Sequence, residues 1–309
     1  MNADRLREFY ERAGYRVATT SDANWYVPGG RVWRNFPCGA TIAPSPDDIG
    51  RLCRDKGIIG VEWGNSRGIG APSGVWSLRD RSYGADSVQR QFRQQMLHAL
   101  ERESVREIGF GELERVGAKA NRDTAVRLGH DVHHLTDATR WRKLCEAGRQ
   151  TAGAGAFATF GSDGLTAYLV CFIAGDTCYG LIAASVDAAR RAGSAHALYF
   201  TYAQTSIRRP GVERVTLGVQ SLPPVPGVDR MKRHAGFRLE SFHLAIALRP
   251  AVRSLVASPI GALGIEAGRR LLGSHPAVRR ADALRAILVA TDDAGAGRPP
   301  PTPVDPTRT

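Results

Sequence analysis

Three apolar runs follow one another with almost nothing between them: "GAFATF" (155–160), "GLTAYLVCFIA" (164–174) and "TCYGLIAAS" (177–185). The links are "GSDG" and "GD". Links this short, built of Gly and Asp, are hairpin turns, so the three runs read as consecutive antiparallel strands. A helix precedes them: "DATRWRKLCEAGRQ" is capped by Asp137 and buries Trp141, Leu144 and Cys145. After them come a helix from about Ser194 to Ile207, a strand "VERVTLGV", a short helix "VDRMKRHA" and a long strand "FRLESFHLAIAL". The order is α-β-β-β-α-β-α-β. Hairpins that give way to strands joined by helices make a mixed sheet covered on both faces, an α/β (α+β) fold.

The chain before this block is less regular. It opens with a helix that puts Leu6, Phe9 and Tyr10 on one face and then turns irregular. "SPDDIGRLCRDKG" has full helix punctuation: Ser45 caps, Pro46 takes the first position, Asp47 and Asp48 suit the positive end, and Gly57 stops it. "IIGVEWG" and "VWSL" read as strands around the glycine-rich loop "GNSRGIGAPSG". That loop lacks Gly-Lys-Ser/Thr, which excludes a nucleotide P-loop. A helix over "DSVQRQFRQQMLHALER" carries apolar Val88, Phe92, Met96, Leu97 and Leu100 at helical spacing, and another spans Leu113 to Leu128. The first third has strands too few to close a sheet of its own. Residues 249–290 hold seven arginines against Glu266 and Asp282, in two helices opened by Ser258-Pro259 and His275-Pro276. From Thr291 the Pro- and Gly-rich tail reads as disordered. The expected parts are 1–110, an N-terminal α/β part; 111–250, the main domain; 251–290, basic helices; and 291–309, the tail.

The charge balance narrows the partners. A net charge of +12 and a pI near 10.0 favour an anionic one: a phosphorylated cofactor, a nucleic acid or an acidic lipid surface. The five cysteines form no C-x-x-C pair, and no signal peptide is read at the start, so they are expected as free thiols in a reducing, cytoplasmic compartment. No run approaches 18 apolar residues, so no membrane span is expected. The arginine-rich helices with Leu255, Ile260, Leu263, Leu271 and Leu272 have two readings. One is contact with an anionic membrane surface; the other is packing onto the sheet with a solvated arginine face. His130, His133 and His134 lack a third-ligand spacing, and no metal is expected there.

Two motifs in the main block carry a family resemblance. "RRAGSA" fits the pattern Arg/Gln-x-x-Gly-x-Gly/Ala as Arg190, Gly193 and Ala195, between a strand and a helix. "GVDRMKRHAGF" closes the block with Asp229, Lys232, Gly236 and Phe237. Together with the element order they resemble the GCN5-related N-acetyltransferase (GNAT) superfamily, and within it the Fem-like branch of peptidoglycan-bridge aminoacyltransferases. The resemblance covers roughly 110 residues, and the first 110 could be a shortened first copy of a tandem pair. It implies that Arg190, Arg191, Gly193, Ser194 and Ala195 cradle the pyrophosphate of acetyl-CoA or another acyl-CoA, as backbone N–H groups at a helix start can. It also implies that Lys232 lies in the substrate channel, where a cation balances phosphate or oxyanion charge.

Acyl transfer further needs a proton donor for the leaving group and a base for the amine. Tyr202 or Tyr199 fits the donor's place on the helix after the turn, with core packing the other reading of both. Asp187, Glu213 and Glu240 are candidate bases. The expected function is an N-acyltransferase moving an acyl group from acyl-CoA to an amine acceptor, an amino sugar or amino acid of the cell envelope or a polysaccharide. An aminoacyl-tRNA-dependent Fem-type transferase is the first alternative. A catalytically silent GNAT-like fold that binds nucleic acid or an anionic membrane is the second.

Overall fold

The computed structural model describes residues 3–128, 136–188, 193–220, 222, 226–272 and 275–295. Its elements begin with α1 (Ala3–Arg12), β1 (Val17–Thr19), β2 (Asn24–Tyr26), β3 (Val32–Phe36), α2 (Pro46–Arg54), β4 (Gly60–Asn65) and β5 (Ala71–Leu78). Then come α3 (Arg90–Leu100), β6 (Ser104–Glu107), α4 (Phe110–Val116), α5 (Ala118–Leu128), α6 (Ala138–Gln150), β7 (Ala154–Gly161), β8 (Gly164–Ala174) and β9 (Thr177–Ser185). The rest are α7 (Ser194–Ile207), β10 (Arg214–Val219), α8 (Pro226–His234), β11 (Arg238–Leu248), α9 (Pro250–Ala257), α10 (Pro259–Leu272) and α11 (Pro276–Gly295). They form two compact units. The first joins Met1–Val17, Val75–Gly218 and Val225–Glu240; the second joins Ala18–Gly74, Val219–Pro224 and Ser241–Thr309.

In the first unit the three hairpin strands pair as their links require, with Phe157 opposite Leu169 and Tyr168 opposite Ala184. β6 adds antiparallel to the outer edge of β7, and β10 lies parallel to β9, giving the order β5-β10-β9-β8-β7-β6. The middle strand is buried on both faces. Leu169 and Cys171 join a core with Phe92 and Met96 of α3 and Leu198 and Tyr202 of α7. On the other face Phe172 stacks on Phe9 of α1, Trp141 of α6 packs on Tyr168, and the Tyr168 hydroxyl bonds Asn121 of α5. Each large side chain so buried contributes about 1.5–3 kcal/mol. α6 starts where expected, because the Asp137 carboxylate accepts from the N–H groups of Thr139 (2.8 Å) and Arg140 (3.1 Å).

In the second unit β2 pairs antiparallel with β3, β3 parallel with β4, and β4 antiparallel with β11. The N-terminal strands therefore do join a sheet, by recruiting a strand from the far end of the chain. α2, capped by Ser45 Oγ on the Asp48 N–H, covers a cluster of Trp25, Trp33, Leu52, Ile58 and Val61. A second cluster joins Ala71, Ile246 and Leu248 to Ile287 and Leu288 of α11.

Several boundaries differ from the sequence reading for local reasons. The stretch read as irregular before residue 36 contains β1 to β3, and β5 starts at Ala71, inside the glycine-rich loop. The helix read from Leu113 to Leu128 is two helices meeting at Gly117, where a Cβ would stand 2.8 Å from Trp141. Three helices, not two, follow β11, and the last runs to Gly295, into the stretch read as disordered; residues 296–309 lie outside the described ones. His130, His133 and His134 also lie outside. Among the described residues no helix is long and apolar enough to cross a membrane.

α8 is tied down at both ends within the first unit. The buried carboxylate of Asp229 accepts from the Trp76 indole N–H at 3.2 Å. The Tyr83 hydroxyl donates to the Ala235 carbonyl at 2.7 Å, and the Gln89 N–H to the His234 carbonyl at 2.9 Å. Replacing Asp229 by Ala strands a buried indole N–H and should cost about 1–3 kcal/mol in urea unfolding.

Candidate functional site

The parallel ladder between β9 and β10 is short. It runs from Arg214 opposite Thr177 to Thr216 opposite Tyr179 and stops there, although β9 continues to Ser185 and β10 to Val219. Three features mark the stopping point. A Cβ on Gly180 would stand 2.9 Å from the Thr216 carbonyl oxygen, so only glycine lets the strands meet this closely. The Tyr202 hydroxyl reaches up from α7 to lie 3.1 Å from the Cys178 carbonyl and 3.2 Å from that of Thr216, one on each strand. Immediately beyond, the register of β8 on β9 shifts between Ile182 and Gly180, so that Leu181 is an extra, bulged residue. The result is a gap between two strand ends.

α7 begins at Gly193, whose φ of +79° favours glycine. A Cβ there would also lie 2.6 Å from the Gln95 carbonyl of α3. Ser194 is buried, and its hydroxyl donates to Glu103 Oε1 at 2.8 Å, while Glu103 Oε2 is buried with no hydrogen-bond partner. A carboxylate thus stands beside the positive end of the helix where an anion was expected. Ala195 follows in the first turn; Arg190 and Arg191 lie outside the described residues.

The same turn borders a cavity of about 320 Å³ within the first unit. α3 supplies Gln91, Phe92 and Gln95; α7 supplies His196. α8 contributes Arg230 and His234, one turn apart on one face. The His196 ring meets Phe92 edge-on at 4.8 Å, and its Nδ1 is buried without a hydrogen bond of good geometry. Burial lowers the His196 pKa, the Gly193 carbonyl opposes this and nearby His234 adds to it, so the ring is neutral near pH 7. His234 is lowered too, by burial and then by Arg230 and Arg233.

The sequence candidates are therefore dispersed. Gly193, Ser194 and Ala195 open α7, and Tyr202 sits two turns along it at the end of the ladder. Lys232 is half-buried on α8, two residues from Arg230 and so on the opposite side of the helix; it does not line the cavity. Tyr199 packs against the core of the first unit. Tyr202 is fully buried, and burial raises its pKa well above the usual phenol value. Of the proposed bases, Asp187 is exposed and paired with Arg127 at 3.0 Å, and Glu213 is exposed. Glu240 lies 2.9 Å from both Arg79 and Arg214. Burial pushes its pKa up, but bonds from Ser77 and Arg79 and the charge of Arg214 outweigh this and hold it low, which makes it a weak base. His196, Arg230 and the two glutamines were not singled out from sequence. The available signal was the i, i+4 spacing of Arg230 and His234.

No family model matches the chain, and no curated protein does. Solved structures do. FemX is 12% identical, with 82% of this chain and 92% of that one covered at a TM-score of 0.53. The C-terminal domain (DUF2156) of a putative lysylphosphatidylglycerol synthetase from Agrobacterium fabrum is also 12% identical, covering 87% and 92% at 0.52. At such identities the likeness concerns the fold alone: the chain has a FemX-like fold, with a mixed sheet flanked by helices. Replacing Gly180 by Val should force the two strands apart at their last paired residues and cost about 1–3 kcal/mol in denaturant unfolding, more than the same change at exposed Gly109, where a Cβ would meet nothing.

Proposed function

We propose that the protein is an N-acyltransferase, moving an acyl group from a phosphate-bearing carrier to an amine. The observation that carries this reading is the coincidence on one helix, α7, of the cavity wall at His196 and the end of the β9–β10 ladder at Tyr202. Six residues of helix separate them, about 9 Å. The cavity offers an Arg and two imidazoles to carrier phosphate. The strand gap offers backbone N–H and C=O edges along which an extended acyl arm can lie, as an added strand does. The amine nitrogen attacks the acyl carbon, the bond to the carrier breaks, the leaving atom takes a proton, and the proton lost by the amine passes to solvent, which returns one to the donor. In this scheme Tyr202 gives that proton, since burial keeps its phenol protonated, and Lys232 supplies positive charge on the acceptor's side. The amine acceptor, an amino sugar or amino acid of the cell envelope, is part of the same proposal.

Two donors compete. An acyl-CoA would place its pyrophosphate against Gly193, Ser194 and Ala195, with Arg190 and Arg191 beside it. The Glu103 carboxylate on Ser194 favours the second donor, an aminoacyl-tRNA, because a pyrophosphate at that turn would face a negative charge at close range. With tRNA the phosphate charge is spread along a backbone, which suits a chain of net charge +12.

Thermal unfolding separates them. A carrier at about 100 times its Kd should add roughly 2.7 kcal/mol of stability. A shift with acetyl-CoA or longer acyl-CoAs, enlarged by Glu103→Gln, would establish the CoA donor. A shift with charged tRNA alone, falling steeply with salt, would establish the other. No shift with either removes the transferase reading and leaves a silent fold. Tyr202→Phe should cost about 0.5–1.5 kcal/mol of stability whatever the function. If Tyr202 is the proton donor, it should also lower kcat at least ten-fold with little change in KM.

A further inference from the structure

α10 is 14 residues long, and it does not bury its apolar side chains. Ile260, Leu263 and Leu271 are 77%, 70% and 83% exposed. At 100° per residue these three, with exposed Ala267 between them, fall within one narrow stripe along the helix. The neighbouring flank is occupied otherwise: a Cβ on Gly268 would stand 3.1 Å from Val278 of α11, so that side packs inward. Leu272 at the end of α10 and Leu255 on α9 are exposed as well, at 60% and 63%. Arg270 borders the stripe, 78% exposed at its side chain, and pairs with Glu266 at 3.0 Å, whereas Arg279 on α11 is exposed. The segment from 249 to 290 carries seven arginines against two carboxylates. By contrast α11 places Ile287 and Leu288 in the core of the second unit.

We infer that α10 docks on an anionic lipid bilayer, lying in the plane of the interface with its Ile260–Leu263–Leu271 stripe among the acyl chains and the arginines at headgroup level. Three other occupants fit less well. The helix is about 20 Å long and cannot span a bilayer. A second copy of the chain would gain little, since one face about 20 by 10 Å offers roughly 200 Å², well short of the ~800 Å² per partner of a standard interface. A nucleic acid backbone would meet the arginines but leave the leucines in water. A narrow apolar stripe set in a basic surface suits the boundary between acyl chains and anionic headgroups.

The test uses the full chain and co-sedimentation with vesicles of phosphatidylcholine, alone or with phosphatidylglycerol. The expected result is binding that requires phosphatidylglycerol and weakens with salt. Leu263→Glu with Leu271→Glu should reduce vesicle affinity at least ten-fold while the melting temperature stays unchanged, because neither side chain is buried. The milder Leu263→Ser with Leu271→Ser should act in the same direction. Equal binding by wild type and the Glu variant, or no binding to either vesicle, overturns the proposal. So does a wild-type dimer that the Glu variant converts to monomer, which would give the stripe to a second copy. None of these readouts depends on donor binding or turnover.

Discussion

The first unit turns on one close approach. β9 and β10 can meet only because Gly180 has no side chain where the Thr216 carbonyl lies, and they are held there by a phenol that touches a carbonyl on each. A parallel ladder of three residue pairs is a weak join by itself. Backed by α7, it becomes a fixed vertex. The bulge at Leu181 then sets the rest of β9 on its own course, and the strand ends leave polar backbone that must find partners. The fold therefore makes a backbone-lined gap at the same place where it concentrates rigidity. Tyr202 is consequently a structural member whether or not it also moves a proton.

Charge is arranged unevenly around that vertex. Much of the arginine content is spent in pairs: Arg79 and Arg214 with Glu240, Arg127 with Asp187, Arg106 with Glu112. The exposed ones among them contribute little to stability, but all of them remove positive charge from the surface field. Arg230 makes no ion pair among the described residues, and it borders the cavity. Glu103 does the reverse at the start of α7, cancelling part of the helix's positive end. The local balance, rather than the total of +12, decides where an anion is welcome.

What could be read from the sequence was what local physics writes into short spans. The hairpins of β7 to β9 and the caps of α2 and α6 stood where Gly, Asp, Ser and Pro placed them. β6, the four-residue "SVRE" at a sheet edge, carries no apolar alternation and was invisible. β1 to β3 are too short to show a period, and their sheet depends on β11, some 200 residues away. At the site, the motif points to the turn at Gly193 and Ser194, but its meaning is incomplete without Glu103, 91 positions before Ser194 in the chain. His196 sits in "GSAHALYF" with no spacing partner, so only the packing of three helices reveals it. The resemblance points to Lys232, whereas helix periodicity turns Arg230 and His234 toward the cavity.

The discontinuity of the second unit has a consequence during synthesis. Its first segment ends at Gly74, and β11, the strand that pairs with β4, does not begin until Arg238. At about 5–20 residues per second, the ribosome needs roughly 10–30 s to make the intervening stretch. For that time the early strands, with Trp25 and Trp33, lack β11 and α11. The first unit must wait as well, since it takes Arg238–Glu240 at its own end. A nascent chain of this kind spends most of its elongation with apolar strand edges uncovered.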